Sequence, residues 1–264
     1  MRGSVDDMMA AIERAKPAVE QYGTPEQRKL LSFAKAMCDS VRNRYVVSEH
    51  TIFVLRTALT ELQQKGDQHQ LAVIHFALGT TLLWAGQLDE AEKLLKKALQ
   101  MAENMGIAWL QARCLTFLPF VFRQHGQVEQ VRNMLTQAEA IGIVQNNNIL
   151  IAHHAWVAWR DGNLLEAEMA AKRSMEQGQR QQVDNNPFQW AALWLLLAVM
   201  LVQEKMSEAI NNVRLLLAPT LQPPPEQLRT RLEAALQAWN AGQQQEAQML
   251  LQQIVPLAEN MGYL

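Results

Sequence analysis

Glycines recur at a fixed spacing along this chain, and that spacing constrains the fold more than any other feature of the sequence. Within three groups, successive glycines lie 20 residues apart, with one interval of 16 between groups. A glycine can end a helix in the left-handed conformation without steric cost, so a regular series predicts helices of similar length. Two such helices per repeat of about 40 residues are typical of stacked helical hairpins. The series consists of Gly66, Gly86, Gly106 and Gly126, then Gly142 and Gly162, then Gly242 and Gly262.

Two further patterns keep the same register. The sequence AENMG occurs at residues 102–106 and again at 258–262, in each case ending 20 residues after another glycine of the series. An alanine also stands five residues after three of the glycines, as Ala91, Ala167 and Ala247. A small residue there lets the second helix of a hairpin approach the first closely. The register also predicts a turn at residue 204, where glutamate replaces the glycine.

The register predicts an all-α fold, a right-handed superhelical solenoid of antiparallel helix hairpins. Only 12 Gly and 9 Pro occur in 264 residues, so long helices are rarely interrupted. We expect a single domain over residues 5–264, with one leading helix and six hairpins, and interpret residues 1–4 as a vector-derived start. The thirteen predicted helices cover about residues 5–22, 25–43, 48–65, 68–85, 88–105, 107–125, 127–141, 147–161, 163–178, 187–204, 206–217, 224–241 and 243–261.

Charge and hydropathy argue against nucleic acid and membranes as partners. The chain has 24 Lys and Arg against 26 Asp and Glu, so no broad basic surface is expected for a phosphate backbone. Its most apolar run, residues 190–202, is shorter than the roughly 20 residues that span a bilayer, and no signal peptide precedes it. Cys38 and Cys114 each lie in an apolar helical stretch, which is typical of reduced, buried thiols. We therefore predict a cytoplasmic protein.

The sequence contains no recognisable catalytic or metal-binding motif. The spacings GxxxxGK[ST], GxSxG and HExxH are all missing. His153 and His154 are the only adjacent histidines, and neighbours on a helix point about 100° apart, so they cannot share a metal. Carboxylates such as Asp89, Glu90 and Glu166 stand at predicted helix starts, where the helix dipole favours them. We predict a non-enzymatic protein without catalytic residues, cofactor or metal.

One hairpin carries a specific family resemblance. The stretch LGTTLLWAGQLDEAEKLLKKAL, residues 78–99, resembles a tetratricopeptide repeat, with Gly79 and Ala91 at its small packing positions. The other hairpins are degenerate copies, and Pro119 replaces the first-helix glycine in the next one. RNRYVVSEHT at 42–51, AWVAWRDGNLLEAE at 155–168 and PFQWAALWLLLAV at 187–199 together resemble the C-terminal helical-repeat arm of bacterial STAND signalling ATPases linked to nucleotide cyclase or DNA-binding domains.

The resemblance implies a regulatory arm whose concave face binds a partner. In tetratricopeptide arrays the first helix of each hairpin lines that face, and arginines interleaved with rings are typical of peptide contacts. The same rings could instead fill the gaps between hairpins. The candidate groove residues are Phe76, Trp84, Arg113, Phe120, Arg123, Trp156, Trp159, Arg160, Trp194 and Trp239.

Two functions are consistent with these features of the sequence. The first is a protein–protein interaction module that binds a protein or peptide, including other domains of a parent ATPase. The alternative is a small-molecule sensor that holds an inducer in the concave groove. The resemblance carries over no catalytic residues, because the ATPase and cyclase motifs of such proteins have no counterpart in this chain.

Overall fold

The computed structural model describes residues 5–145, 147–180 and 187–264, and all regular secondary structure in these ranges is helical. Residues 1–4, for which the sequence suggests a vector origin, lie outside them. The helices are α1 (Val5–Tyr22), α2 (Pro25–Arg42), α3 (Glu49–Lys65), α4 (Gln68–Trp84), α5 (Leu88–Met105), α6 (Ala108–Gln124), α7 (Val128–Ala140), α8 (Asn148–Arg160), α9 (Leu164–Arg180), α10 (Trp190–Val202), α11 (Met206–Leu216), α12 (Glu226–Asn240) and α13 (Gln244–Asn260).

The predicted all-α fold is confirmed, and each predicted helix is present. The largest difference in bounds is at α10, which begins at Trp190 instead of residue 187. The three residues before it form turns, and the Pro187 carbonyl accepts a hydrogen bond of 3.0 Å from the backbone N–H of Gln222. A carbonyl committed to a distant part of the chain is not available for the first turn of a helix.

Backbone angles confirm the register of the turns. All eight glycines of the series have positive φ, between 66° and 80°. Glu204 has a φ of 58°, so the turn predicted there forms without a glycine. The turn positions are therefore set by the repeat, and glycine is the residue that most often satisfies them.

Small residues allow the close helix packing that the repeat requires. Ala91, Ala167 and Ala247 are fully buried. Between α4 and α5, a Cβ placed on Gly79 would lie 2.8 Å from Cγ of Leu95, closer than real side chains approach. The tetratricopeptide-like positions at Gly79 and Ala91 are thus sites of close contact.

The chain divides into two compact units, residues 1–114 and 115–264. In the first, α1 to α5 pack in chain order, each helix on the next. In the second, α7 to α13 do the same, which is the arrangement of a helical repeat. In the second unit α10 also packs on α8 and, across a longer sequence separation, on α13.

Helix α10 is the centre of the second unit. Every residue from Trp190 to Leu201 is buried, so this apolar run is a core helix with neighbours on all sides. None of the described helices combines the length and the apolarity needed to cross a membrane.

Candidate functional site

The ten predicted groove residues separate into buried and accessible sets. The buried set is Phe76, Phe120, Arg123, Trp156 and Trp194. The accessible set, whose side chains are partly or fully exposed to solvent, is Trp84, Arg113, Trp159, Arg160 and Trp239. The first unit contains three of the ten, where the Arg113 guanidinium carbon lies 5.8 Å from the Phe76 ring centroid and the Trp84 ring lies 6.3 Å from that of Tyr45. In the second unit, two of the candidates, Phe120 and Trp156, meet around Arg123.

The guanidinium of Arg123 lies among aromatic rings near the end of α6. Its central carbon is 5.4 Å from the Trp156 ring centroid, 5.8 Å from Phe120 and 5.9 Å from Trp190. Arg123 itself is only 1% exposed. Ring faces attract cations, and the attraction strengthens when water is excluded. We call Arg123, His153, Trp156 and Trp190 the Arg123 cluster.

Two hydrogen bonds orient this guanidinium. Nη2 of Arg123 donates to the backbone carbonyl of Tyr263 at 2.7 Å. Nη1 lies 3.5 Å from Nδ1 of His153, whose Nε2 lies 3.2 Å from the carbonyl of Thr116. A carbonyl can only accept, so Nε2 carries the imidazole proton and Nδ1 is free to accept from Arg123.

Burial determines the charge state of the cluster. It lowers the pKa of Arg123 to about 9, so the guanidinium stays charged at neutral pH. Burial, together with the neighbouring Arg123 charge, holds the pKa of His153 well below its usual 6.5, so this imidazole is neutral. The described partners of Arg123 are a carbonyl, an imidazole and three rings, with no carboxylate among them. The cluster therefore holds a buried positive charge without an anionic partner among the described residues.

The last four residues, Met261–Leu264, lie against this cluster, and we call them the docked segment. Helix α13 ends in a Schellman turn, in which the N–H of Gly262 donates to the Glu259 carbonyl and that of Tyr263 to the Ala258 carbonyl. The turn brings Gly262 onto the backbone of α6, where an added Cβ would lie 2.4 Å from Cα of Gln124. Only glycine allows this approach.

The side chain of Tyr263 packs between two tryptophans of α10. Its ring centroid lies 4.8 Å from Trp190 and 5.7 Å from Trp194. Burial raises the pKa of its phenol to about 12. Nε1 of Trp190 donates to Gln222 at 2.9 Å, which fixes that ring. A stretch of this chain's own polypeptide therefore occupies the space beside several residues predicted to face a partner.

An accessible pocket lies next to the docked segment. It has a volume of about 470 Å³ and includes Trp159, Arg160, Glu259 and Asn260 in its lining. Nε1 of Trp159 donates to the Glu259 carboxylate at 3.2 Å. The Arg160 side chain is exposed, with its guanidinium carbon 5.4 Å from the Trp156 ring centroid. We call this the Trp159 pocket.

Three residues at this site, two of the cluster and one of the docked segment, are not predicted by the sequence patterns. The sequence indicates His153 only as one of two adjacent histidines considered as metal ligands. The repeat pattern does not distinguish Trp190 or Tyr263 from other aromatic residues. One difference in the sequence could have indicated Tyr263. The first AENMG copy is followed by Ile107 and Ala108, whereas the second is followed by an aromatic residue, Tyr263, and Leu264. Trp239, half-buried on α12, lies outside the cluster.

The first unit has a groove of its own that the sequence patterns also do not predict. It has a volume of about 570 Å³ and lies between α2, α3 and α4. Its apolar lining includes Leu30, Phe33, Leu62 and Val73. Leu30 is 68% exposed, and no periodicity in the sequence distinguishes such an exposed leucine from a core one.

Metal ligands and known relatives add no further assignment. No group of three or more His, Cys, Asp or Glu side chains that could hold a metal ion occurs within the part of the chain that the structure describes. Cys114 is fully buried, and burial raises the pKa of its thiol to about 12. In comparisons with known proteins, neither a family model nor a curated protein matches the chain.

Proposed function

We propose that this chain is a non-enzymatic helical-repeat module that binds a protein or peptide. One observation carries the proposal: the Arg123 cluster already holds a polypeptide segment. Arg123 binds its backbone carbonyl, and two tryptophans hold its aromatic side chain. Buried Trp and Arg anchors of this kind commonly dominate the energy of protein interfaces.

The Trp159 pocket is the proposed contact for a partner while the docked segment stays in place. The Trp159 ring is partly exposed and Arg160 is exposed, so both can gain burial when a partner binds. The hydrogen bond from Trp159 to Glu259 holds the ring in position before binding, which reduces the entropy lost on association.

The resemblance to the repeat arms of signalling ATPases suggests the setting. On that basis the module is a cytoplasmic regulatory arm, and its partners include other domains of a parent ATPase. The stretches at 42–51, 155–168 and 187–199 are the support for this setting.

A small-molecule sensor is the second candidate. The observation that favours it is the size of the Trp159 pocket, about 470 Å³, which falls within the roughly 300–1,000 Å³ typical of small-ligand sites. Its lining supplies a ring, a cation and a carboxylate, which could orient a polar metabolite.

A displayed peptide library panned against the folded chain tests the leading proposal. We expect enriched peptides to lose at least about 30-fold in affinity for Trp159→Ala or Arg160→Ala, because hot-spot anchors cost about 2 kcal/mol or more when truncated. Trp109→Ala is the matched control, since this ring is 53% exposed and lies outside the pocket. Urea denaturation of each variant separates lost binding from lost folding.

A thermal-shift screen of metabolites separates the two candidates. A small ligand at 100 times its dissociation constant adds about 2.7 kcal/mol to the free energy of unfolding. A metabolite that stabilises the chain and loses this effect in Trp159→Ala, with no peptide enriched, would favour the sensor and contradict the leading proposal.

A further inference from the structure

We infer that the Arg123 cluster is an exchangeable site for the end of a peptide chain, occupied here by the docked segment. The ligand we assign to it is a peptide that ends in Gly-Tyr, or Gly with another aromatic residue, and carries a free terminal carboxylate. This inference rests on the proposed function and names the chemistry of one partner.

The charge at the site argues for a carboxylate. Nη2 of Arg123 donates to the Tyr263 carbonyl at 2.7 Å, yet a neutral carbonyl leaves the buried charge uncompensated. Nε of the same guanidinium has no hydrogen-bond partner among the described residues. A peptide ending at the position of Tyr263 would place its carboxylate where that carbonyl lies, and arginine binds carboxylates through two parallel hydrogen bonds.

The rings argue for an aromatic residue at the end of that peptide. Trp190 and Trp194 flank the Tyr263 ring, at 4.8 and 5.7 Å between centroids. The Gly262 position accepts no side chain, because a Cβ would meet the backbone of α6 at 2.4 Å. The site thus selects glycine followed by an aromatic residue on steric grounds.

The contacts of the docked segment differ from those of its helix. It follows the Schellman turn at the end of α13, whereas α13 itself packs on α12 and α10. Release of these four residues exposes the fully buried Leu264 but requires no helix to unfold. An internal occupant competes at a high effective concentration, so a free peptide should bind weakly until the segment is loosened.

Fluorescence anisotropy tests the exchange directly. The probe is a labelled peptide of residues 254–263 with a free carboxylate, and its control is the same peptide with a C-terminal amide. The proteins are the full chain, Gly262→Ala and Gly106→Ala. Both glycines have positive φ, 73° and 66°, but a Cβ at Gly106 meets nothing within 4 Å, so only Gly262→Ala displaces a contact.

We expect Gly262→Ala to bind the free-acid peptide at least tenfold more tightly than the full chain or Gly106→Ala does. The amidated peptide should bind at least tenfold more weakly than the free acid. Arg123→Gln in the Gly262→Ala background should abolish that difference, because the carboxylate then has no cation to contact.

Three results would overturn the inference. The first is equal binding of the acid and the amide by Gly262→Ala. The second is binding by Gly262→Ala that is no tighter than by Gly106→Ala. The third is loss of cooperative urea unfolding in both Gly262→Ala and Tyr263→Ala while Gly106→Ala unfolds cooperatively, since the segment would then be part of the core.

The proposed function has a separate readout. Library peptides that depend on Trp159 should bind the full chain and Gly262→Ala alike. If those peptides bind and the 254–263 peptide does not, the inference about Arg123 fails and the proposed function stands. If no library peptide binds and the 254–263 peptide binds Gly262→Ala, the Trp159 pocket is the wrong site.

Discussion

Glu204 adopts backbone angles that glycine adopts at eight other turns of this chain. Its φ is 58°, and its side chain is exposed. A residue with a Cβ in the left-handed region is strained by roughly 1–2 kcal/mol. The strain is tolerated because the helices on either side, α10 and α11, are held by their own packing.

Glu204→Gly should therefore raise the free energy of unfolding by about 0.5–1 kcal/mol, since the relief of strain exceeds the greater entropy of glycine in the unfolded chain. Urea denaturation followed by circular dichroism measures the change. Ala85→Gly is the control, because Ala85 precedes a turn glycine at a negative φ of −83° and should lower stability. A decrease for Glu204→Gly would contradict the assigned strain.

Among the elements, the hairpin of α4 and α5 depends most directly on small residues. Ala91 is fully buried, and Leu95 fills the space left by the missing side chain of Gly79. A larger group at either position must push the helices apart, because interiors are close-packed.

Ala91→Leu should lower the free energy of unfolding by about 1–3 kcal/mol through overpacking. Lys93→Leu is the matched control, since it introduces the same side chain at an exposed position on the same helix and should change stability by less than about 0.5 kcal/mol. Urea midpoints give the comparison. Similar losses in both variants would show that the tight contact is not at Ala91.

The elements differ in how far the sequence could predict them. Helix positions followed from the glycine series and the buried alanines, because both reflect contacts between neighbours in the chain. The docking of Gly262 could not be predicted, since it depends on a backbone contact with Gln124. The two AENMG copies form the same kind of turn, yet Gly106 faces open space and Gly262 faces a helix. Identical local sequence therefore gave different tertiary roles.

The candidate site was predictable only in part for the same reason. Periodicity identified rings on one side of successive helices, and in the second unit Phe120, Arg123 and Trp156 do meet. Arg123 also contacts Tyr263 and Trp190, which no local pattern connected to it. An aromatic side chain can bind a partner only if no other part of the chain covers it. Which residues cover it is determined by the tertiary structure and not by the local sequence.

At the scale of the whole molecule, each compact unit contains a buried neutral imidazole. His75 in the first unit is 1% exposed, and neither ring nitrogen has a hydrogen-bond partner among the described residues. Burial lowers its pKa to about 4. His153 in the second unit has its pKa lowered by burial and by Arg123. Protonation of either group is therefore easier in the unfolded chain.

The free energy of unfolding should fall as the pH falls from about 6.5 toward 4, because the unfolded chain binds more protons in that window. His75→Leu should reduce this slope and raise stability by about 1 kcal/mol at pH 8, since an unpaired buried polar group is removed. Urea denaturation at pH 8, 6 and 5 measures both effects.

His69→Leu, on an exposed face of the same helix, is the matched control for replacing an imidazole by leucine. A slope unaffected by His75→Leu would mean that this imidazole reaches a proton donor or acceptor in solution. The slope that remains in His75→Leu is expected to come from the second unit.

The position of Tyr263 also has an optical consequence. Its phenol lies close to two indoles, at 4.8 and 5.7 Å between centroids. Light absorbed by the phenol passes efficiently to an indole at such separations, so tyrosine emission from this residue is quenched while the segment is docked. Of the two other tyrosines, Tyr22 is 80% exposed and Tyr45 lies beside Trp84. The excitation spectrum of tryptophan emission thus reports the state of the segment without any added dye.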